Sequence, residues 1–439
     1  MTGAVLSPIM ACVVLFGVFA LLMSMRVPIA FALALSCVPI LIIEPRLDTV
    51  SLMSETFNAY NSFILLAVPF FLLTANLMNA GGTTDRLLRL SRAMVGHFPG
   101  GLAQVNVLLS VFFAGISGSA TADAASQSKI FLDAQKKEGY DDSFSVSITA
   151  VSAVLSNIFP PSILMVVWGG LLTVSIGGLF LAGIIPGLLV GLAQMATVHV
   201  YAKIRGYPTY KRATLREFGR ALWVSIPALT TPGIIIGGKI FGWFTATESA
   251  CIAVLYATVV SFFVYRDLSP RGFYNALVDT GKLAGVALFC VGTASAFGWI
   301  LAYYKIPEAV LAGVSTWNMG VTACGFFIVF VFLVAGTFLD SIPAIVICAP
   351  ILEPLARHSG MDPIHFAMIS IVSLAFGLVT PPYGITLSIA CSVAGIRMRE
   401  ALWDTNLMLI PMLGVLMLLI IWPEVVLFLP RMISPEFLK

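Results

Sequence analysis

The residues best suited to chemistry are small polar residues, glycines and prolines that interrupt apolar sequence, and these interruptions occur twice. The first copy reads AGISGSATADAAS from Ala114 and continues to SNIFPP, which ends at Pro161. A shift of 221 residues, without gaps, places the Pro-Pro pair on Pro381-Pro382 and Gly115 on Gly336. Because glycine and proline decide backbone geometry, this match predicts an internal duplication with helix breaks at corresponding places.

The predicted breaks expose backbone groups that can bind ions. Gly115 and Gly118 in the first copy, and Gly336 in the second, fall in the middle of apolar segments. A turn at membrane depth is tolerated only where its backbone is buried in protein or lines a cavity. Each proline removes an N–H donor and frees an upstream carbonyl. Carbonyl and hydroxyl oxygens together suit Na⁺, and helix N-termini at the breaks favour an anion. The alternative is a structural proline kink without a ligand.

Two carboxylates lie beside these turns. Asp340 is four residues after Gly336, and Asp123 is four residues after Ser119. An intramembrane carboxylate is costly and indicates a function by default. For Asp340 we expect support of a sodium site, with hydrogen bonding to the turn's own N–H groups as the alternative. For Asp123, N-capping of the returning helix is a strong competing explanation. Glu248 follows a threonine at a helix start, where capping is favoured.

The composition is that of a membrane protein. Of the 439 residues, 59% are hydrophobic and 10% are charged, against about 25% charged residues in soluble domains. The apolar runs approach the ~20 residues that cross a bilayer as a helix. No basic region precedes the first apolar run, so 1–23 is expected to be a retained span. The seven cysteines form no CxxC pair, which favours small buried side chains over disulfides or a zinc site.

Loop charges predict the orientation of the spans. If both broken segments are re-entrant, eighteen of the 24 Lys and Arg residues fall on one face and six on the other. Cytoplasmic loops collect Lys and Arg, so the N-terminus is expected outside. The first broken segment then enters from the cytoplasm and the second from outside, as an inverted repeat requires. The predicted spans are 4–25, 27–43, 60–80, a broken pair within 101–132, 143–175, 176–203, 221–240, 243–265, 281–304, a second broken pair within 321–357, 363–396 and 402–430.

The predicted fold class is an all-α polytopic membrane protein with two inverted-topology repeats. Each repeat has a re-entrant helical hairpin and a transmembrane helix broken at Pro-Pro. The predicted division is 1–60 for N-terminal scaffold helices, 61–220 for repeat 1, 221–280 for further scaffold helices and 281–439 for repeat 2. Repeat 1 has its hairpin at about 101–132 and its broken helix at 143–175; repeat 2 has its hairpin at about 321–357, its broken helix at 363–396 and a C-terminal span.

Six motifs distributed over essentially the whole chain carry a family resemblance. The chain resembles the large, DctM-like membrane subunit of tripartite ATP-independent periplasmic (TRAP) transporters. The motifs are VPFFLLTANLMNAGG (Val68–Gly82), GISGSATADAAS (Gly115–Ser126), NIFPPSI (Asn157–Ile163), FTATESA (Phe244–Ala250), GTFLDSIPA (Gly336–Ala344) and GLVTPPYG (Gly377–Gly384).

The resemblance implies a sodium-driven elevator transporter of the ion-transporter superfamily in the bacterial inner membrane, with its N-terminus in the periplasm. It implies a small organic acid, a C4-dicarboxylate or similar carboxylate, delivered by a periplasmic binding protein. A small four-helix membrane subunit is the expected partner, Na⁺ is the coupling ion, and neither another cofactor nor nucleic acid is expected. Where some relatives carry an arginine near the substrate, this chain has Tyr303, Tyr304 and Lys305.

The expected site combines both hairpins with both breaks. For sodium binding the residues are Gly115, Ser117, Ser119, Asn157, Pro160, Gly336, Thr337, Asp340, Thr380 and Pro381. For substrate binding they are Gly118, Ser156, Ser162, Tyr303 and Tyr383.

Three other functions fit parts of the sequence. Gly115-Ile116-Ser117-Gly118 matches the GxSG pattern of intramembrane serine proteases, which also need a histidine base, but the pattern is short in a chain rich in glycine and serine. A passive channel can also contain inverted repeats. The nearest alternative is a symporter of the same superfamily that binds its organic anion and sodium without a binding protein.

Overall fold

The computed structural model describes residues 6–315 and 319–438, and the first residues of the predicted span 4–25 lie outside this range. The described chain is built from helices, with a 3₁₀ turn at Phe63–Leu66 and a π-helical segment at Val260–Val264. The α-helices are α1 Pro8–Ser24, α2 Ile29–Ile43, α3 Thr49–Tyr60, α4 Ala67–Ala80, α5 Thr83–Val95, α6 Gly101–Ser117, α7 Ala120–Lys137, α8 Asp142–Ala153, α9 Leu155–Ile158, α10 Ile163–Leu172, α11 Ile176–Arg205, α12 Leu215–Ile240, α13 Ala246–Val259, α14 Pro270–Tyr303, α15 Ile306–Ser315, α16 Val321–Phe338, α17 Ser341–His358, α18 Pro363–Gly377, α19 Ile385–Ala394, α20 Met398–Ile421 and α21 Glu424–Ile433.

The helix lengths confirm the predicted all-α membrane class. Within the described residues, eight helical stretches are long and apolar enough to cross a bilayer. Helices α1 and α2 are also apolar but shorter, at 17 and 15 residues. The eight stretches are Phe63–Ala80, Asp142–Leu172, Ile176–Arg205, Leu215–Ile240, Ala246–Val264, Pro270–Tyr303, Val321–Phe338 and Met398–Ile421.

Several helix ends differ from the predicted spans. Helix α12 begins at Leu215 because Thr214 and Glu217 form a capping box, which the apolar run alone does not mark. Helix α14 begins at Pro270, after the Ser269 cap. The predicted span 402–430 is two helices, α20 and α21, which separate at Trp422-Pro423. Helices α3, α5 and α15 lie outside the predicted spans.

The helix pattern recurs at the same spacing as the sequence motifs. Both ends of α7 and α17 differ by 221 residues, and the break after α9 corresponds to the break after α18. Packing follows the same rule, since α7 lies against α19 while α17 lies against α10. Each returning hairpin arm therefore packs against the broken helix of the other half. The opposite membrane orientation of the halves stays a prediction.

The first broken helix lies at the centre of the molecule. In 142–172, 94% of the most apolar eighteen residues are buried, against 28% in α12. Trp168 of α10 packs against Phe332 and Phe366, with ring centroids 5.8 and 5.1 Å apart. The outer face of α12 is thus available to lipid, while α8–α10 are enclosed by protein.

Candidate functional site

The first hairpin turns between α6 and α7. Gly118 has a φ of +61°, a left-handed conformation that favours glycine. Ser119 caps α7 by accepting a hydrogen bond from Ala122 N at 3.5 Å. A Cβ at Gly118 would lie 3.1 Å from both Ile163 N and Pro161 O. The missing side chain therefore lets the hairpin tip pack directly on the break between α9 and α10.

That break supplies its own hydrogen bonds. Phe159 is extended, with φ −85° and ψ 135°, and the Pro160-Pro161 peptide bond is cis. Ser162 caps α10 by accepting from Leu164 N at 3.2 Å, and its hydroxyl donates to Asn157 O at 2.8 Å. One serine thus serves the end of α9 and the start of α10, both of which leave backbone groups without intrahelical partners.

The Asn157 side chain connects the two hairpin tips. Its Oδ1 accepts from Ala120 N of the first hairpin at 3.2 Å. Its Nδ2 donates to Ser341 Oγ of the second hairpin at 3.4 Å. Asn157 is only 4% exposed. Because the amide offers a donor and an acceptor on one planar group, a single residue in the break links both tips.

Asp123 is the buried carboxylate of the first half. Its Oδ1 accepts from Ser117 Oγ at 2.5 Å, and its Oδ2 accepts from the Ser156 hydroxyl. The N-capping alternative for Asp123 is wrong, because Ser119 caps α7. Asp123 instead ties the hairpin to the break, and its position within a membrane segment was the sequence signal for this role.

The second hairpin turns at an extended Leu339, with φ −114° and ψ 151°. Asp340 is the N-cap of α17 and its Oδ1 accepts from Ser341 N at 2.7 Å. Hydrogen bonding to the turn, one of the two roles expected for Asp340, is therefore present. The Thr337 hydroxyl donates to Val334 O at 2.8 Å within α16.

Helices α16 and α18 cross at two glycines. A Cβ at Gly336 would lie 2.9 Å from Leu374 O and 3.1 Å from Gly377 Cα. A Cβ at Gly377 would lie 2.7 Å from Gly336 Cα. The backbones therefore touch at this point, and the predicted site residue Gly336 has a packing role that its sequence position alone did not specify.

The second break follows α18. Thr380 Oγ1 donates to Phe376 O at 2.8 Å, and Thr386 Oγ1 donates to Leu378 O at 3.0 Å. The Pro381-Pro382 bond is cis. Tyr383, expected in the substrate site, is 57% exposed. The hydroxyls of this break thus satisfy carbonyls of their own segment.

The structure brings together most, though not all, of the predicted residues. The Tyr303 ring lies at the end of α14 with centroids 6.2 Å from Trp299 and 5.1 Å from Tyr304, and it does not join the hydrogen-bonded cluster. Gly115 faces α12, since its Cβ would lie 3.1 Å from Pro232 Cβ. The residues gathered at the first tip and its break are Ser117, Gly118, Ser119, Ser156, Asn157, Pro160 and Ser162.

Two participants were missed by the sequence prediction. Ser341 receives the Asn157 hydrogen bond, and Gly377 forms the crossing with Gly336. Ser341 follows an expected site residue directly, so the neighbouring acid was its only signal. Gly377 gives no signal without knowledge of the helix that crosses it.

Apolar spans, two helical hairpins and two breaks meeting at a buried polar cluster define a polytopic membrane transporter. The family model for "Tripartite ATP-independent periplasmic transporter, DctM component" matches residues 16–425. The chain belongs to this DctM family and acts in TRAP-type solute transport, as one component of a tripartite system in the bacterial inner membrane.

Two characterised relatives align over most of their length. The sialic acid TRAP transporter large permease protein of Vibrio cholerae is 34% identical over 95% of this chain and 98% of its own. The C4-dicarboxylate TRAP transporter large permease protein of Pseudomonas aeruginosa is 36% identical over 87% and 89%. The solved YdaH transporter of Alcanivorax borkumensis shares the fold, with a TM-score of 0.59, 15% identity and coverage of 86% and 90%.

These relatives are transporter permeases and not enzymes. The GxSG pattern around Ser117 therefore does not indicate a protease. Its hydroxyl donates to Asp123, and the buried His365 has its Nε2 2.9 Å from Leu419 O.

Proposed function

We propose that the chain performs sodium-coupled uptake of a small organic acid that a periplasmic binding protein delivers, together with a small four-helix membrane subunit. The observation that carries this proposal is the Asn157 amide, which contacts both hairpin tips. Two turns and a break that share one residue enclose a single polar region. Such a region between discontinuous helices is where transporters of this type bind substrate and coupling ion.

For sodium, the proposal uses oxygens at the two tips. Backbone carbonyls and hydroxyls are suitable ligands, and the carboxylate of Asp340 adds a negative charge beside the second tip. The proposed residues are Gly115, Ser117, Ser119, Asn157 and Pro160 in the first half, and Gly336, Thr337, Asp340, Thr380 and Pro381 in the second.

For the substrate, we propose an acid whose carboxylate faces helix N-termini. Helices α7, α10 and α17 all begin at the tips or the first break, and the start of a helix carries partial positive charge. Two relatives are named for sialic acid and C4-dicarboxylates, which are both carboxylates, and a C4-dicarboxylate is our first choice. The proposed contacts are Gly118, Ser156, Ser162, Tyr303 and Tyr383.

For movement, we propose an elevator in which hairpins and broken helices travel as one body. The exchange of partners between halves, with α7 on α19 and α17 on α10, supports a single unit. A body that moves intact keeps the polar backbone of both turns away from lipid.

Uptake of a radiolabelled C4-dicarboxylate into proteoliposomes tests the proposal, with the binding protein and small subunit supplied. Uptake is expected to require an inward sodium gradient and the binding protein. Asn157→Ala should reduce uptake at least about tenfold and cost about 1–3 kcal/mol of unfolding free energy, because Ala120 N–H loses its acceptor. The exposed Asn58→Ala serves as the control and should leave both unchanged.

Two outcomes would oppose the proposal. Equal uptake without the binding protein would favour the symporter that works alone. Uptake that ignores the sodium gradient in the wild-type protein would remove the coupling ion from the mechanism.

A further inference from the structure

A basic cavity of about 830 Å³ lies between α5, the start of α12 and the connecting segment 206–214. It is far in sequence from the hairpin tips and belongs to the face with most of the lysines and arginines. Glu217 is the one acidic residue among the described residues that line it. The cationic lining residues are Arg86, Arg89, Arg92, Lys211, Arg212 and Arg220.

Most of this positive charge is uncompensated within the described chain. Arg86 pairs with Asp267 at 2.7 Å, and the Arg92 guanidinium stacks 4.0 Å from the centroid of the Tyr210 ring. The other four cations have no ion pair with described residues. Glu217 Oε2 already accepts from Thr214 N at 2.8 Å. Like charges that share a cavity repel one another, so an anion stabilises the arrangement.

The cavity opens beside an apolar, lipid-facing surface. Leu215 is 90% exposed and Trp223 is 77% exposed, both on α12. Met94 of α5 is also exposed. A tryptophan at the start of a spanning helix is typical of the membrane interface. This surface can accept acyl chains, which a soluble phosphate does not have.

We propose that this cavity binds the phosphate headgroup of an anionic phospholipid from the adjoining leaflet. Basic pockets at the cytoplasmic ends of spanning helices suit such headgroups, and the forked guanidinium of arginine matches phosphate oxygens. The acyl chains lie along the exposed side of α12. This site is separate from the transport function proposed above.

The cavity wall also connects two moving parts of the transport cycle as proposed. Tyr210 N donates to Gly96 O at 3.1 Å, and its hydroxyl donates to Glu138 in the loop after the first hairpin. Burial, followed by this hydrogen bond to Glu138, raises the pKa of Tyr210 to about 12, so the hydroxyl stays a donor. The bound lipid therefore steadies a segment that joins the corner before α6 to the end of α7.

The experiment measures binding of diacyl phosphatidylglycerol to the full-length protein in detergent, with phosphatidylcholine as the neutral comparison. The pocket variant combines Arg89→Gln, Lys211→Gln, Arg212→Gln and Arg220→Gln. The control variant combines Lys129→Gln, Arg271→Gln, Arg397→Gln and Arg399→Gln, which are exposed and remove the same charge from the same predicted face. We expect about tenfold weaker phosphatidylglycerol binding in the pocket variant and less than about twofold in the control.

Equal weakening in both variants would overturn the site in favour of diffuse attraction to the basic face. Inorganic phosphate that binds without lipid and displaces phosphatidylglycerol at about 1 mM would overturn the lipid as ligand and assign a soluble anion. If the fourfold variant does not fold, the pairs Arg89→Gln/Arg220→Gln and Lys211→Gln/Arg212→Gln replace it. Each pair should weaken binding about threefold, and unchanged binding in both pairs contradicts the proposal.

Discussion

At the residue scale, the polar cluster depends on side chains with few ways to satisfy their hydrogen bonds. Asn157 uses both ends of its amide, and Asp123 uses both oxygens. Buried polar groups of this kind are costly when a partner is lost. The cluster therefore fixes how the first tip, the first break and the second tip meet.

Asp340→Asn separates the two roles expected of that carboxylate. The amide keeps an oxygen to accept the Ser341 N–H bond but removes the charge that would attract Na⁺. We expect expression to be nearly unchanged and the sodium concentration for half-maximal uptake to rise about tenfold, measured in proteoliposomes. A wild-type sodium response would show that Asp340 only caps the turn.

The sequence predicted which residues are in this cluster better than it predicted their partners. Ser117, Ser156 and Asn157 could be predicted because polar residues beside a helix break in an apolar chain need a reason. The bond from Ser156 to Asp123 joins residues 33 apart, and no local pattern encodes that distance. Tyr303 was chosen by family resemblance, and the structure places it with other aromatic rings.

At the element scale, the contact of α16 with α18 depends on the absence of side chains. Gly336 and Gly377 bring two backbones within reach of each other. Glycine in a helix interior is intrinsically unfavourable by about 1 kcal/mol relative to alanine. The close approach explains why two glycines lie where the helices meet.

Gly336→Ala is expected to destabilise the protein although alanine favours helix. The new Cβ would lie 2.9 Å from Leu374 O, which is backbone and cannot rotate away, so a loss of about 1–3 kcal/mol in unfolding free energy follows. Gly414→Ala in α20 is the control, because nothing lies within 4 Å of its Cβ. Denaturant unfolding in detergent measures both, and equal changes would contradict a backbone crossing.

The positions of breaks were easier to predict than the ends of helices. Pro-Pro pairs interrupt helices for a local reason, and both breaks lie where predicted. Helix α5 was not predicted as a separate element, because its apolar face alternates with arginines and it lacks a spanning apolar run. The start of α14 was missed because its first turns mix polar and apolar residues.

At the scale of the whole molecule, orientation depends on loop charge. Lys136, Arg212 and Arg357 lie at three different loops, and all three are exposed. Their placement on two membrane faces follows from the eighteen-to-six distribution and from re-entrant hairpins.

Cysteine labelling checks this orientation. Lys136→Cys and Arg212→Cys should react with an impermeant maleimide only from the cytoplasm, and Arg357→Cys only from the periplasm. Inside-out and right-side-out vesicles provide the two conditions. Labelling of Lys136→Cys and Arg357→Cys from one side would remove the argument for inverted repeats.

A disulfide between α10 and the segment before α4 tests rigid-body movement. A Cβ at Gly170 would lie 3.6 Å from Ile64 Cβ, within the range of about 3.5–4.5 Å seen in disulfides. Helix α4 packs on α13 and α14, which belong to the proposed scaffold. Oxidised Gly170→Cys/Ile64→Cys should lose uptake and keep sodium binding.

The single-cysteine variants and the reduced double variant are the controls for this cross-link and should transport normally. Transport at the normal rate with the disulfide formed would mean that α10 and this segment do not move apart. Local opening of the hairpin tips would then replace the elevator.

The buried polar cluster belongs to one copy of the duplicated sequence. Each of its main side chains has an apolar, aromatic or glycine residue at the equivalent place in the other copy. An ancestral unit that was doubled kept its architecture in both descendants but its polar residues in one, so the halves share a shape and divide the labour. A cargo between the tips would be gripped from one side, and exchanging the halves would not regenerate the site. The equivalents of Ser117, Asp123, Ser156, Asn157 and Ser162, 221 residues later, are Phe338, Ala344, Gly377, Leu378 and Tyr383.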